Sequence, residues 1–236
     1  MSVLFLVRHG QASFGDDNYD QLSKLGIYQA RLLGEYLART ELRLDSAWCG
    51  TLVRQCQTAQ VVLECFRNRG MSAPQPKGLA ELNEYNSRQI IMDIIPQLLK
   101  RTPSLQHDLD AMYTEKKAFQ RVFEQVMLRW ISADNEQPEI ETWQAFTARV
   151  HAGIKHIIKE EGRERSVVVF TSGGPIAAVM QLALGLSNEN TMRLNWQIMN
   201  SSVTRMIYND ERITLAGFNV ISHLDLHNDA SLITYR

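Results

Sequence analysis

Five apolar residues, Val3-Leu4-Phe5-Leu6-Val7, run straight into Arg8-His9-Gly10. Branched and aromatic side chains without polar alternation read as a short buried strand. In open α/β sheets, ligands bind in the crevice beyond the carboxyl ends of the strands. Here that end carries a cation, an imidazole and a glycine. Arg8 offers a planar fork of donors matched to phosphate oxygens. His9 can be neutral near physiological pH, and so can attack an electrophile or shuttle a proton. Gly10 lets the backbone turn and approach a ligand closely.

A second run, Ser166-Val167-Val168-Val169-Phe170, ends in Thr171-Ser172-Gly173-Gly174-Pro175. Pro175 is placed as the first residue of a helix running to Leu184. Backbone amides of such a turn, Gly173 included, form an anion-binding helix start. Between the two runs, Ser23 is positioned to cap a helix on which Leu25, Tyr28, Leu32 and Tyr36 recur at helical spacing. Leu44 to Cys49 predicts a second strand with Ala47 and Trp48 toward the core. Gly50-Thr51 then opens a helix with Ala59, Val62, Leu63 and Phe66 on one face. Gly70 to Gly78, with Pro74 and Pro76, reads as a loop.

From Ile90 to about Asn135 the pattern turns helical, with Pro96 and Pro103 cutting short helices and a longer one over Phe119, Val122, Phe123, Val126 and Trp130. Glu139 to Glu161 predicts a long amphipathic helix, and strands are expected at Val203 to Tyr208 and Ile213 to Phe218. Strand-helix alternation of this kind implies an α/β fold, a three-layer sandwich on a mainly parallel central sheet. The expectation is a single domain over residues 1–236, with residues 86–140 inserted as a helical lid that shapes substrate choice. Tyr113, Lys116, Lys117 and Arg121 of that insertion face either the pocket or, more simply, solvent.

The 236 residues can bury one substantial core. With 25 basic and 26 acidic residues and no long basic run, the chain lacks the electrostatic footprint of a nucleic-acid binder. Cys49, Cys56 and Cys65 are odd in number and without a Cys-x-x-Cys pair, which argues against a disulfide framework or a structural zinc and for packed, reduced thiols. His151 and His156 are five apart, a poor spacing for shared metal ligation. The apolar start is too short for a signal peptide and no stretch reaches membrane-spanning length, so a cytoplasmic protein with no membrane partner is expected.

Arg8-His9-Gly10 after an N-terminal strand resembles the signature of the histidine phosphatase superfamily, the phosphoglycerate-mutase-like group. Asp20-Gln21-Leu22-Ser23-Lys24-Leu25-Gly26 is similar to the family's lead into its first helix. Gly50-Thr51-Leu52-Val53-Arg54-Gln55-Cys56-Gln57-Thr58-Ala59 resembles the segment that carries a second phosphate-binding arginine, here Arg54, before Gln-Thr-Ala. Gly50 and Thr51 depart from the family's usual serine and proline. Leu79-Ala80-Glu81-Leu82-Asn83-Glu84-Tyr85-Asn86 resembles the segment with the proton-donating glutamate. Two registers fit, giving Glu81 or Glu84, and Glu84 matches the motif better although the glycine usual a few positions on is missing. Asn219 and His223-Leu224 echo the closing Asn…His-Leu, and His227 lies four residues beyond His223.

The most informative departure is Ser172, which stands where the family has histidine. A serine hydroxyl still donates to a phosphate oxygen but carries no charge. The expected cost is about 1–2 kcal/mol, or about tenfold in rate. His223 is the candidate to fill that gap. The resemblance thus implies a phosphatase of small phosphoesters working through a phosphohistidine: His9 as nucleophile, Glu84 as acid, and Arg8, Arg54, Ser172 and Gly173 holding the phosphoryl group. Two arginines can do the electrostatic work of magnesium in kinases, so neither metal nor cofactor is expected. A mutase and a non-catalytic phosphate-binding module are the alternatives.

Overall fold

In the computed structural model, which describes residues 2–13, 20–112, 114–132 and 140–235 and omits the Lys116 side chain, the opening run forms strand β1 (Ser2–Arg8). Its side chains alternate between two cores, as the period of a strand requires. Leu4 and Leu6 enter one core, while Val7 and Phe5 pack into the other. The chain continues through α1 (Lys24–Arg39), β2 (Ser46–Cys49), α2 (Val53–Asn68) and β3 (Pro76–Gly78). Next come α3 (Ser87–Arg101), α4 (Leu105–Ala111), α5 (Lys116–Ser132) and α6 (Trp143–Glu161). Then follow β4 (Ser166–Thr171), α7 (Gly173–Leu184), α8 (Asn188–Asn195), β5 (Val203–Tyr208), β6 (Ile213–Val220) and the single turn α9 (Ser222–Asp225).

The six-stranded sheet has the order β3-β2-β4-β1-β5-β6. The first four strands are parallel, and β5 and β6 add antiparallel pairings at one side. Apolar faces of α1 and α2 (Ala30, Leu33, Leu37, Ala59, Val62, Leu63, Phe66) cover one side with Val168 and Phe170. On the other side Phe146, Val150, Ile154 and Ile176 of α6 and α7 close over Leu4, Leu6, Val167 and Val169. The α/β sandwich on a mainly parallel sheet is therefore observed.

Helices α3 to α5 join this second core: Ile90, Ile94, Leu105, Val126 and Trp130 are buried continuously with the sheet residues. Trp130 packs edge-on against Trp143, ring centroids 5.3 Å apart, so α5 is fastened to α6 by large aromatic area. Among the described residues no helix is long and apolar enough to cross a membrane.

Several boundaries differ from the sequence reading. Pro96 does not end a helix but lies inside α3. The hydrogen bond it forfeits would reach the carbonyl of Met92, which is exposed, while buried Ile90 and Ile94 anchor the helix on its other side. Pro76 to Gly78, expected in a loop, makes a three-residue edge strand paired with Ala47 to Cys49, with proline tolerated as its first residue. Helix α2 opens at Val53 rather than at Gly50. Helix α6 starts at Trp143, capped by Thr142 Oγ1 from the Ala145 N–H at 3.0 Å; Glu139 lies outside the described residues. Helix α7 begins at Gly173, so Pro175 is its third residue, still in the first turn where no N–H is missed. Ser23 caps α1 as expected, accepting from the Gly26 N–H at 3.0 Å.

Candidate active site

Strands β1 and β4 end side by side, with Arg8 opposite Thr171 in the register. The His9 N–H donates to the Thr171 carbonyl at 2.9 Å, and the His9 carbonyl receives the Ser201 N–H and Asn200 Nδ2, each at 3.2 Å. The backbone of His9 is thus clamped from both sides of the sheet's parallel–antiparallel junction.

The imidazole of His9 is only 6% exposed. Nδ1 lies 2.7 Å from the Gly10 carbonyl, which can only accept, so Nδ1 carries the proton. Nε2 lies 3.2 Å from Arg54 Nε, which can only donate, so Nε2 presents its lone pair. Burial first, then the charges of Arg54 and Arg8, hold this imidazole well below the usual histidine range, opposed by the bond to Gly10. His9 is a neutral imidazole whose Nε2 is unprotonated and accepts from Arg54, the protonation form a nucleophile needs.

Arg54 enters from the first turn of α2, where a cation opposes the helix dipole. Asp20 offsets that cost. Its Oδ1 lies 2.5 Å from Arg54 Nη1, and its Oδ2 accepts the Val53 N–H at 2.9 Å. The same carboxylate therefore caps α2 and orients the arginine. Thr58 Oγ1 accepts from the Gly10 N–H at 3.2 Å and donates to the Arg54 carbonyl at 2.7 Å, tying this turn to the loop after β1. Gln57 Oε1 accepts from the Leu22 N–H at 2.8 Å. The guanidinium of Arg8 is steadied by main-chain carbonyls, Nη1 donating to Ile198 and Nη2 to Tyr235 at 2.9 Å.

Of the two glutamates, only Glu84 meets the start of α7. Its Oε2 accepts the Gly174 N–H at 3.1 Å and Oε1 the Tyr85 N–H at 3.2 Å. The residue retains some solvent contact, yet its carboxyl group is closely surrounded by protein. That burial raises its pKa above the ordinary glutamate value, against the lowering effects of the Gly174 bond, Arg54 and Arg8. A carboxyl that burial keeps protonated to higher pH than an ordinary glutamate is suited to give a proton away. Glu81 points elsewhere, its side chain packing against Gly153 of α6.

Ser172 is fully buried at the head of α7, and Gly173 is the first residue of that helix. Ser172 Oγ accepts from Gln55 Nε2 at 2.8 Å and does not cap its own helix. His223 does not fill the place expected of it. Its Nε2 is bonded to Ser201 Oγ at 2.9 Å and its ring lies tilted beside Tyr36 of α1, so among the described residues its link to His9 runs through the Ser201 backbone. Nor do His223 and His227 share a helix face, because α9 ends at Asp225. In α4 and α5 Arg121 pairs with Asp108 at 2.5 Å and Lys117 is exposed, which is the solvent-facing reading; Tyr113 lies outside the described residues.

Asp20, Gln55, Asn200 and Ser201 support the site without having been singled out from sequence. Asp20 carried one signal, as the acid that opens the family-like lead into the first helix. Nothing marked Gln55, whose amide NH2 meets partners 27 and 117 residues away. Among the described residues no group of three or more His, Cys, Asp or Glu is placed to hold a metal; His151 Nε2 meets the Ala178 carbonyl at 2.8 Å and His156 lies beside Glu160. The three cysteines are unpaired, with Cys49 buried but Cys56 exposed rather than packed away.

Solved structures with this architecture include the phosphoglycerate mutase of Bacillus anthracis, at TM-score 0.67 and 18% identity over 97% of both chains. A putative alpha-ribazole-5'-P phosphatase of Escherichia coli aligns at TM-score 0.63 and 20% identity, covering 94% of this chain and 98% of that one. Phosphoserine phosphatase of Entamoeba histolytica aligns at TM-score 0.62 and 16% identity, covering 95% of this chain and all of that one. At such identities the likeness concerns the fold. In sequence, the mitochondrial serine/threonine-protein phosphatase Pgam5 of Caenorhabditis elegans is 38% identical over 61 residues, which is 26% of this chain and only 21% of that relative. The family model of the histidine phosphatase superfamily (branch 1) matches residues 4–87 and 107–221, leaving out most of α3 and the turn after it. On that match, together with a strand-end histidine flanked by two arginines, the chain belongs to the histidine phosphatase superfamily.

Proposed function

We propose that this protein hydrolyses small phosphomonoesters through a phosphohistidine on His9. The observation that carries the reading is the hydrogen-bond pattern of His9: Nδ1–H on the Gly10 carbonyl and an unprotonated Nε2 accepting from Arg54. In the first step the Nε2 lone pair forms a bond to phosphorus while the ester P–O bond breaks, and the Glu84 proton passes to the departing oxygen. In the second, water attacks phosphorus, the P–N bond breaks, and the water's proton returns to Glu84. Arg8, Arg54, the Ser172 hydroxyl and the amide at Gly173 hold the equatorial oxygens, where charge is spread in the transition state. No step requires a metal.

Helices α3 to α5 are part of this proposal as a cap over the leaving group. Tyr85, next to Glu84, packs against Trp130 of α5 at 4.9 Å between centroids, which links the acid to the inserted helices. The relatives' names supply the trial substrates: a phosphoglycerate, phosphoserine, a ribazole-type 5'-phosphate and a phosphoserine peptide, beside a generic aryl phosphate. Release of inorganic phosphate from any of these, lost in His9→Ala, is expected; transfer to a second hydroxyl instead of water would turn the reading to a mutase.

One observation favours a second reading, a phosphate-binding module without turnover. The position that resembles a charged family histidine holds a neutral, buried serine. Phosphate binding by calorimetry with no product from any trial ester would select that reading.

A further inference from the structure

Gln55 is completely buried in the first turn of α2, and every hydrogen-bonding atom of its amide group has a fixed partner. Oε1 accepts from the Leu52 N–H at 3.3 Å, and Nε2 donates to the Leu82 carbonyl at 3.1 Å and to Ser172 Oγ at 2.8 Å. Reversing the amide would set oxygen against the Leu82 carbonyl and NH2 against the Leu52 N–H, so its orientation is determined. Ser172 Oγ therefore accepts a hydrogen bond from Gln55 and must direct its own O–H elsewhere. Among the described residues that O–H meets no hydrogen-bond acceptor. Ser172 stands between Thr171, which holds the His9 N–H, and Gly174, which holds Glu84.

We propose that Gln55 is a positioning residue that turns the Ser172 hydroxyl into an oriented, uncharged donor for a phosphoryl oxygen bound at His9. The proposal rests on the phosphoryl-transfer reading of the site. Gly50 fits it: a β-carbon there would come within 1.9 Å of Gln55 Oε1, so only glycine leaves room for the amide. Thr51 belongs to the same unit, exchanging two 2.7 Å hydrogen bonds with Asn83, the neighbour of Glu84. Gly50, Thr51 and Ser172, the three departures from the family-like pattern around the two phosphate-binding turns, thus converge on the Leu82–Glu84 segment. A hydroxyl oriented this way donates equally well at any pH at which the protein is folded.

The test is a double-mutant cycle on Gln55→Met and Ser172→Ala, read in kcat/KM for an aryl phosphate and, independently, in the Kd for inorganic phosphate by calorimetry. Each single variant is expected to lose about tenfold, and the double variant about tenfold as well, because both changes remove one donor. Losses that multiply to about a hundredfold would show Gln55 acting only as a prop for α2, and would overturn the proposal. Should Gln55→Met fail to fold, Gln55→Leu, which sets no charge or second oxygen against the Leu82 carbonyl, completes the cycle with the same expectation. If the wild-type protein binds phosphate but turns nothing over, the phosphatase reading fails and the binding cycle still decides this one. If it neither binds nor turns over, both fail.

Discussion

Gly174 lies so close beneath Glu84 that a β-carbon added to it would stand 2.0 Å from Glu84 Oε1 and 2.8 Å from the Tyr85 ring. The glycine is a seat for the acid, and its N–H is the bond that holds it. Gly174→Ala should therefore displace the Glu84 carboxyl while costing about 1–3 kcal/mol of stability from overpacking. Thermal unfolding and steady-state kinetics on the same preparation check this. A variant that keeps wild-type activity would show that Glu84 is not held there during turnover.

Proton donation by Glu84 matters most when the leaving group is a poor one. Glu84→Gln should lower kcat/KM by about 10²–10⁴-fold on an alkyl phosphate and far less on an aryl phosphate with an acidic phenol. The alkaline limb of the pH profile should vanish with it. In the wild type that limb lies above the ordinary glutamate range because burial raises the Glu84 pKa. The acidic limb, set by His9, lies below the ordinary histidine range because burial and two arginines lower it. Equal losses on both esters would remove Glu84 from the role of acid.

Asp20 does two things that substitution separates. Asp20→Asn keeps an oxygen to cap α2 but gives up the charge on Arg54, so stability should hold while kcat/KM falls about tenfold. Asp20→Ala should lose the activity and about 1 kcal/mol of stability besides. Chemical denaturation of the two variants distinguishes them, and identical unfolding midpoints would contradict the capping role.

Burial pushes His223 down to about 4 from the usual 6.5. The unfolded chain takes up a proton there at a pH where the folded protein does not. The stability this provides is full above pH 6.5 and is lost as pH falls toward 4, on the order of 3 kcal/mol at most. His223→Gln should flatten the fall in unfolding midpoint between pH 7 and 4.5. His9, lowered in the same sense, leaves a residual slope. A variant with the full wild-type slope would assign acid sensitivity to other groups.

Strands β1 and β4 were legible because Leu4, Leu6, Val7 and Val167 to Phe170 are buried between the two cores, and continuous apolar runs have few other uses. The strand-end residues His9 and Arg8 followed from topology, since a parallel sheet presents its carboxyl ends to ligands. Glu84 could be preferred over Glu81 from the motif alone, and only Glu84 reaches the head of α7. What stayed hidden depends on long-range contact. Gln55 looks like any helix-surface amide until Leu82 and Ser172 are folded onto it, and His223 looked available until Ser201 claimed it. Pro96 misled because local propensity was outweighed by the packing of Ile90 and Ile94.

The central claim is that His9 carries the phosphoryl group, and trapping it is the direct measurement. Wild-type protein mixed with a labelled aryl phosphate and quenched in alkali should retain label that acid releases, and His9→Ala should retain none. Label of equal amount on both proteins, or no label on wild type during rapid turnover with quenching faster than the turnover time, would contradict the account.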